Sequence, residues 1–125
     1  MLPVGELYGG VETGGTWCVC ALGAGSGQIH CRQSFPTGEP RETLERIVEL
    51  FAGGPTPIAI GIGSFGPVDL DRDSPTWGHV TTTPKPGWQH RDVAGVIAER
   101  LQVPVYFETR RQRRRAGGAP LGRGF

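Results

Sequence analysis

Two stretches of this chain repeat their apolar residues at helical spacing. Leu44, Ile47, Val48 and Phe51 fall at i, i+3, i+4 and i+7, with Pro40 where a first helical turn tolerates proline and Gly53-Gly54-Pro55 as a stop. Val93, Val96, Ile97 and Leu101 repeat the pattern, with Asp92 placed to cap the helix start. The other apolar segments are short and read as strands. "ELYGGVE" and "TWCVCAL" are joined by Thr13-Gly14-Gly15 as a hairpin, and "GAGSG" turns the chain into "QIHCRQSF". "PIAIGIG" is continuously apolar, which predicts a buried strand, and "VPVYFET" predicts a last one. Between the two helices, residues 64–89 are irregular and rich in Gly, Pro and Thr. The order β-β-β-α-β-α-β implies an α/β lobe on a mixed sheet, antiparallel at first and then crossing over through helices. A further helix is expected after "VPVYFET" to cover the far face of the sheet. Residues 110–125, arginine and glycine without apolar periodicity, cannot supply it.

Composition narrows the classes. The 125 residues suit one domain, 37% are hydrophobic, and no apolar run approaches the ~20 residues of a membrane span. "MLPVGELYGG" has neither the basic nor the apolar region of a secretory signal. Cys18, Cys20 and Cys31 make neither a disulfide framework nor a zinc quartet, and Cys18 and Cys20 suit small buried thiols on one strand face. A reducing cytoplasm is the expected compartment. The net charge of +1 hides an asymmetry: residues 1–109 hold 7 basic and 12 acidic side chains, whereas residues 110–125 hold 6 arginines and no acid. Such a jump suits a nucleic-acid arm, but no aromatic residue is interleaved for base stacking.

Three motifs carry candidate chemistry. Gly61-Ile62-Gly63-Ser64-Phe65-Gly66 matches G-x-G-x-x-G, yet Pro67, Val68 and Asp69 follow where a dinucleotide site needs a helix. A glycine-rich loop that lets a ligand approach the backbone, or a plain turn, remains. Asp69, Asp71 and Asp73 begin like a calcium loop, but Ser74 and Val80 stand where glycine and glutamate are required, which favours a solvated turn. Glu12-Thr13-Gly14-Gly15-Thr16 can be a hairpin turn or a small anion site built from free N–H groups and the Thr16 hydroxyl. His30, His79 and His90 have no metal spacing.

Taken together, "YGGVETGGTWCVCAL", "SFPT", "IAIGIGSFGPVDL", "GHVTTTPKPGWQHRDV" and "VPVYFET" resemble the N-terminal lobe of the ROK family of sugar kinases, and "TTTPKPGW" is most similar to the bacterial fructokinase branch. The resemblance implies a ribonuclease-H-like lobe of the actin/hexokinase type, with ATP and a hexose held in a cleft against a partner lobe. It implies that Glu12, Gly14, Gly15 and Thr16 face ATP phosphates, with Glu12 near the metal, and that Trp17 replaces a basic residue common there. It implies that Ser64, Gly66 and Pro67 border the sugar and that the Thr83–Trp88 loop, Thr83 included, closes over it. The reaction implied is transfer of phosphate from Mg2+-ATP to the hexose, D-fructose giving fructose 6-phosphate, with an aspartate as general base in a phrase like Thr-Asp-Val-Asn. A zinc-binding His/Cys segment would lie downstream, and the full-length family dimer is the implied oligomer.

Arg110 stands where that aspartate is expected. A CGN arginine codon followed by C reads GNC one base later, giving Val, Ala, Asp or Gly. A glutamine codon followed by C gives Asn or Ser. Arg110-Arg111-Gln112-Arg113-Arg114 can therefore encode Asp-Val-Asn-Ala-Ala one base away. The expectation is an incomplete sugar-kinase lobe over residues 1–109 and a frameshifted, disordered stretch over 110–125. Such a chain would have no catalytic base, no partner lobe and no kinase activity. The alternatives are a non-catalytic sugar or nucleotide sensor and an arginine-dependent nucleic-acid binder.

Overall fold

The computed structural model describes residues 6–25 and 28–109; the expectations for residues 110–125 lie outside these. Seven elements follow in the expected order: β1 (Leu7–Thr13), β2 (Trp17–Ala24), β3 (Ile29–Pro36), α1 (Pro40–Ala52), β4 (Ala59–Ser64), α2 (Ala94–Leu101) and β5 (Val105–Thr109). The sheet order is β3-β2-β1-β4-β5. The β1–β2 and β2–β3 pairs are antiparallel, while β4 runs parallel to both β1 and β5. Each parallel neighbour is reached through a helix, as such crossovers require.

Both helices pack on one face. Leu7 and Val11 of β1, Cys18, Cys20 and Leu22 of β2, and Ile60 and Ile62 of β4 meet Leu44, Ile47 and Phe51 of α1 and Ile97 of α2 in one core. The approach is close at Gly9, where an added methyl would lie 2.8 Å from both Ile60 and the Phe51 ring. Arg100 of α2 donates two hydrogen bonds to Glu45 of α1, at 2.9 and 3.0 Å, on the exposed side of the helix pair. The N-cap of α2 is Val93, one residue later than expected, and the Asp92 carboxylate beside it accepts the Gly95 N–H at 2.8 Å and so holds the first turn. Gln102 ends it in the left-handed conformation, at φ 56°.

The opposite face is open among the described residues. It presents Tyr8, Gly10 and Glu12 of β1, Trp17 and Val19 of β2, Gly61 and Gly63 of β4, and Tyr106 and Glu108 of β5. A methyl built on Gly10 or Gly61 would have no atom within 4 Å. This corrects the expectation for "PIAIGIG". Only the Ile60–Ile62–Ser64 side of β4 is covered, and its continuous apolar character comes from glycine and alanine on the open side. Gly61 and Gly63 also lie inside the strand, so of the G-x-G-x-x-G glycines only Gly66 belongs to a loop. The hairpin turn is likewise one residue later than expected, at Gly14-Gly15-Thr16, because Thr13 still pairs with Cys18.

Candidate functional site

In register, Thr13, Ser64 and Thr109 stand side by side at the ends of the three parallel strands. The loops leaving β1 and β4 therefore emerge together at the carboxyl edge of the sheet, the edge where open α/β sheets bind ligands. Position 110, the expected base, follows Thr109 directly and is outside the described residues.

The β1–β2 turn is short and closed by the Gly14 N–H donating to the Trp17 carbonyl at 2.9 Å. Gly14 is buried, whereas Gly15 and Thr16 are exposed, and space around Gly15 is open. Among the described residues no backbone carbonyl accepts from the Gly15 or Thr16 N–H. Two amides without a backbone acceptor among the described residues, beside a hydroxyl, suit an anionic oxygen. Glu12 lies on the open face, level with Gly63, and Glu108 of β5 occupies the same row. These two carboxylates are the acidic groups nearest the turn along the strands. Among the described residues no three His, Cys, Asp or Glu side chains gather as a metal site.

The sugar-facing candidates are placed differently from one another. Ser64 is fully buried and donates its hydroxyl to the Phe65 carbonyl at 2.9 Å. Gly66 and Pro67 begin the loop after β4 and are joined by a cis peptide bond. The Pro67 carbonyl accepts the Thr81 N–H at 2.8 Å, and Val68 bridges Val80, so the "TTTPKPGW" segment lies beside the β4 loop. Thr83 is buried, and its hydroxyl accepts the Lys85 N–H at 3.2 Å. The far end of that segment is anchored in the core. Trp88 is fully buried, donates Nε1–H to the Gly38 carbonyl at 3.0 Å, and meets the Phe65 ring edge-on at 5.3 Å. Gly87, at φ 84°, supplies the turn into it beside Pro40.

The remaining motifs are structural. Asp69 accepts hydrogen bonds from the Ser74 and Thr76 hydroxyls and the Asp71 N–H, and Asp71 accepts from the Asp73 N–H. These bonds hold the Asp69 carboxyl below the usual aspartate range, the Ser74 bond contributing most. The acidic run is thus a set of consecutive turns. Cys18 and Cys20 are free and fully buried, and burial pushes both thiols up. Sequence inspection missed Thr37, which touches the β1–β2 turn from a distant segment; the quoted "SFPT" was its only signal.

A mixed sheet of this order, with a two-glycine turn and the β4 loop at one strand edge, defines the N-terminal lobe architecture of actin- and hexokinase-type sugar kinases. The ROK family model matches residues 8–114, and the chain belongs to that family. It is 45% identical over 105 residues to a fructokinase of Streptococcus mutans, covering 83% of this chain and 36% of that protein. A fructokinase of Zymomonas mobilis is 39% identical over 109 residues, again covering 83% and 36%. Among solved structures, a ROK family glucokinase from Streptomyces griseus in complex with glucose and AMPPNP aligns with TM-score 0.69 and 27% identity, over 83% of this chain and 33% of that one. The ROK hexokinase of Thermus thermophilus, at 21% identity and TM-score 0.63 over 83% and 35%, shares the fold. The chain spans about a third of the length of the curated relatives it matches. No helix among the described residues is long and apolar enough to cross a membrane.

Proposed function

We propose that residues 6–109 are the phosphate- and sugar-facing part of an ATP-dependent hexose kinase whose complete form converts D-fructose to fructose 6-phosphate. The observation that carries this is the convergence at one strand edge of the Gly14-Gly15-Thr16 turn, whose Gly15 and Thr16 N–H groups no described backbone carbonyl accepts, and the Gly66–Pro67 loop. Similarity to fructokinases supports D-fructose as the hexose. In this reading the Gly15 and Thr16 amides and the Thr16 hydroxyl receive phosphate oxygens, while Gly66, Pro67 and the neighbouring Thr83 segment border the sugar. Ser64 acts beneath them: its hydroxyl is turned to the Phe65 carbonyl and shapes the loop. Bound Mg2+ would neutralise developing phosphate charge, held by phosphate oxygens and by Glu12, in keeping with its habit of taking one or two carboxylates. Zinc, implied downstream by the family resemblance, has no candidate ligand set among the described residues.

The general base is the missing part. A positioned carboxylate must accept the sugar hydroxyl's proton, and the permanently charged guanidinium of Arg110 cannot. We further propose that the codons after Thr109 run one base out of the family's frame. The test is to sequence the gene through and beyond codons 105–125, restore the alternative frame, and assay both proteins with ATP against fructose, glucose, mannose and N-acetylmannosamine. The restored protein should phosphorylate fructose best, and the 125-residue chain should phosphorylate none. Fructose turnover by the 125-residue chain, or no kinase activity after restoration, would overturn the proposal.

A further inference from the structure

Thr37 sits in the connection between β3 and α1, yet its polar groups are spent on the β1–β2 turn. Its N–H donates to the Thr16 carbonyl at 2.8 Å, and its hydroxyl donates to the Gly14 carbonyl at 2.8 Å. The Cys18 sulfur lies 3.1 Å from the same hydroxyl oxygen. A threonine hydroxyl has a single proton, and that proton is committed to Gly14. The Cys18 thiol is therefore the donor in the second bond. The chain Cys18 S–H, Thr37 O–H, Gly14 C=O, together with the Thr37 N–H on Thr16, ties down both ends of a turn that two glycines would otherwise leave loose.

The consequence follows from peptide planarity. In a trans peptide the C=O and the next N–H point in opposite directions. With the Gly14 carbonyl drawn toward Thr37, the Gly15 N–H must face away from Thr37; Gly15 is exposed, and a methyl built on it would meet no described atom within 4 Å.

We infer that Thr37 is a positioning residue for this turn: it clamps the Gly14–Gly15 peptide so that the Gly15 N–H faces outward toward an anionic oxygen. The inference deepens the kinase reading and rests on it for the identity of the anion. It does not rest on the missing base, so the 125-residue chain itself serves for the test.

The experiment compares isotope-labelled wild type, Thr37→Val and Thr37→Ser by NMR. Valine keeps the shape and removes the hydroxyl, whereas serine keeps the hydroxyl. Exchange of the Gly14 amide, which closes the turn, reports the clamp, with the buried Ile47 and Ile60 amides as references. Titration with inorganic triphosphate, followed at the Gly15 amide, reports the anion. Loss of one ordinary hydrogen bond shifts a local equilibrium by roughly tenfold. Thr37→Val should therefore speed Gly14 exchange by about tenfold with the references unchanged and weaken triphosphate binding by a similar factor, while Thr37→Ser stays near wild type. Unchanged Gly14 exchange in Thr37→Val, equal acceleration at the reference amides, or an equal defect in Thr37→Ser would each overturn the clamp. Failure of wild type to respond to triphosphate would remove the phosphate reading, and the exchange data would still decide the clamp.

Discussion

Alanine at Gly9 and alanine at Gly10 add the same methyl group to adjacent residues of β1, on opposite faces of the sheet. At Gly9 the new carbon would lie 2.8 Å from Ile60 Cγ1 and 2.8 Å from Phe51 Cε1. Both neighbours are buried, Ile60 in the adjacent strand and Phe51 in the last turn of α1. Neither is a free side-chain end that can swing aside, so relief requires α1 to shift or Phe51 to leave its rotamer. Overpacking of this kind costs about 1–3 kcal/mol. Against it stands a gain of about 0.4–1 kcal/mol from the smaller conformational freedom of the unfolded chain. Gly9→Ala should therefore be destabilising by about 1–2 kcal/mol. A methyl at Gly10 would meet no atom of the described residues within 4 Å, so only the gain remains, and Gly10→Ala should be neutral or up to about 1 kcal/mol more stable. Urea unfolding followed by far-ultraviolet circular dichroism resolves this gap, since slopes of about 1–3 kcal/mol per molar convert it into roughly 1 M between the midpoints. Coincident midpoints, or a Gly9→Ala protein more stable than Gly10→Ala, would refute the packing argument. In the restored full-length protein, a helix laid over the open face would make Gly10→Ala costly there as well.

Trp88→Ala should destabilise the chain by about 3–5 kcal/mol, because it empties a core site and leaves the Gly38 carbonyl without its indole partner. The same denaturation experiment checks it, and a loss under about 1 kcal/mol would mean that the "TTTPKPGW" segment is not anchored there. The Asp69 turn carries a pH dependence of definite sign. Its folded carboxyl titrates below the ordinary 3.8, chiefly because Ser74 donates to it. Its contribution is thus complete above 3.8 and lost as the pH falls through the lower folded value. A carboxyl-carbon NMR titration should give an Asp69 midpoint below 3.8 that rises in Ser74→Ala; a midpoint at or above 3.8 in wild type would sink the argument.

Local pattern was enough for what depends on local geometry. The i, i+3, i+4, i+7 stripe from Leu44 to Phe51 specified α1, and the glycines after it specified its end. Short apolar runs on either side of a two-glycine turn specified β1 and β2 as a hairpin, because both strands and the turn lie in one local stretch. Asp92 was legible as a residue that holds the start of α2 for the same reason: its partner, Gly95, is three residues away. The two-glycine turn was visible as a candidate anion site because its chemistry lies within five consecutive residues.

The remainder depended on register and on partners far along the chain. "PIAIGIG" could not disclose that, among the described residues, one side of β4 is left open, since glycine and alanine satisfy an apolar pattern without showing what covers them. That Thr13, Ser64 and Thr109 share a row is a fact of strand pairing, and their sequence separations carry no trace of it. Trp88 read as part of a loop closing over a ligand, yet the fold buries it because Gly38, fifty residues earlier, offers its indole a carbonyl. Thr37 is the clearest case. Nothing near it in the chain calls for its hydroxyl, and only the pairing of β3 with β2 brings it under Gly14 and Thr16. Helical and strand periods are written in neighbouring residues, whereas the shape of this turn is set by a hydrogen bond that exists only after the sheet has formed.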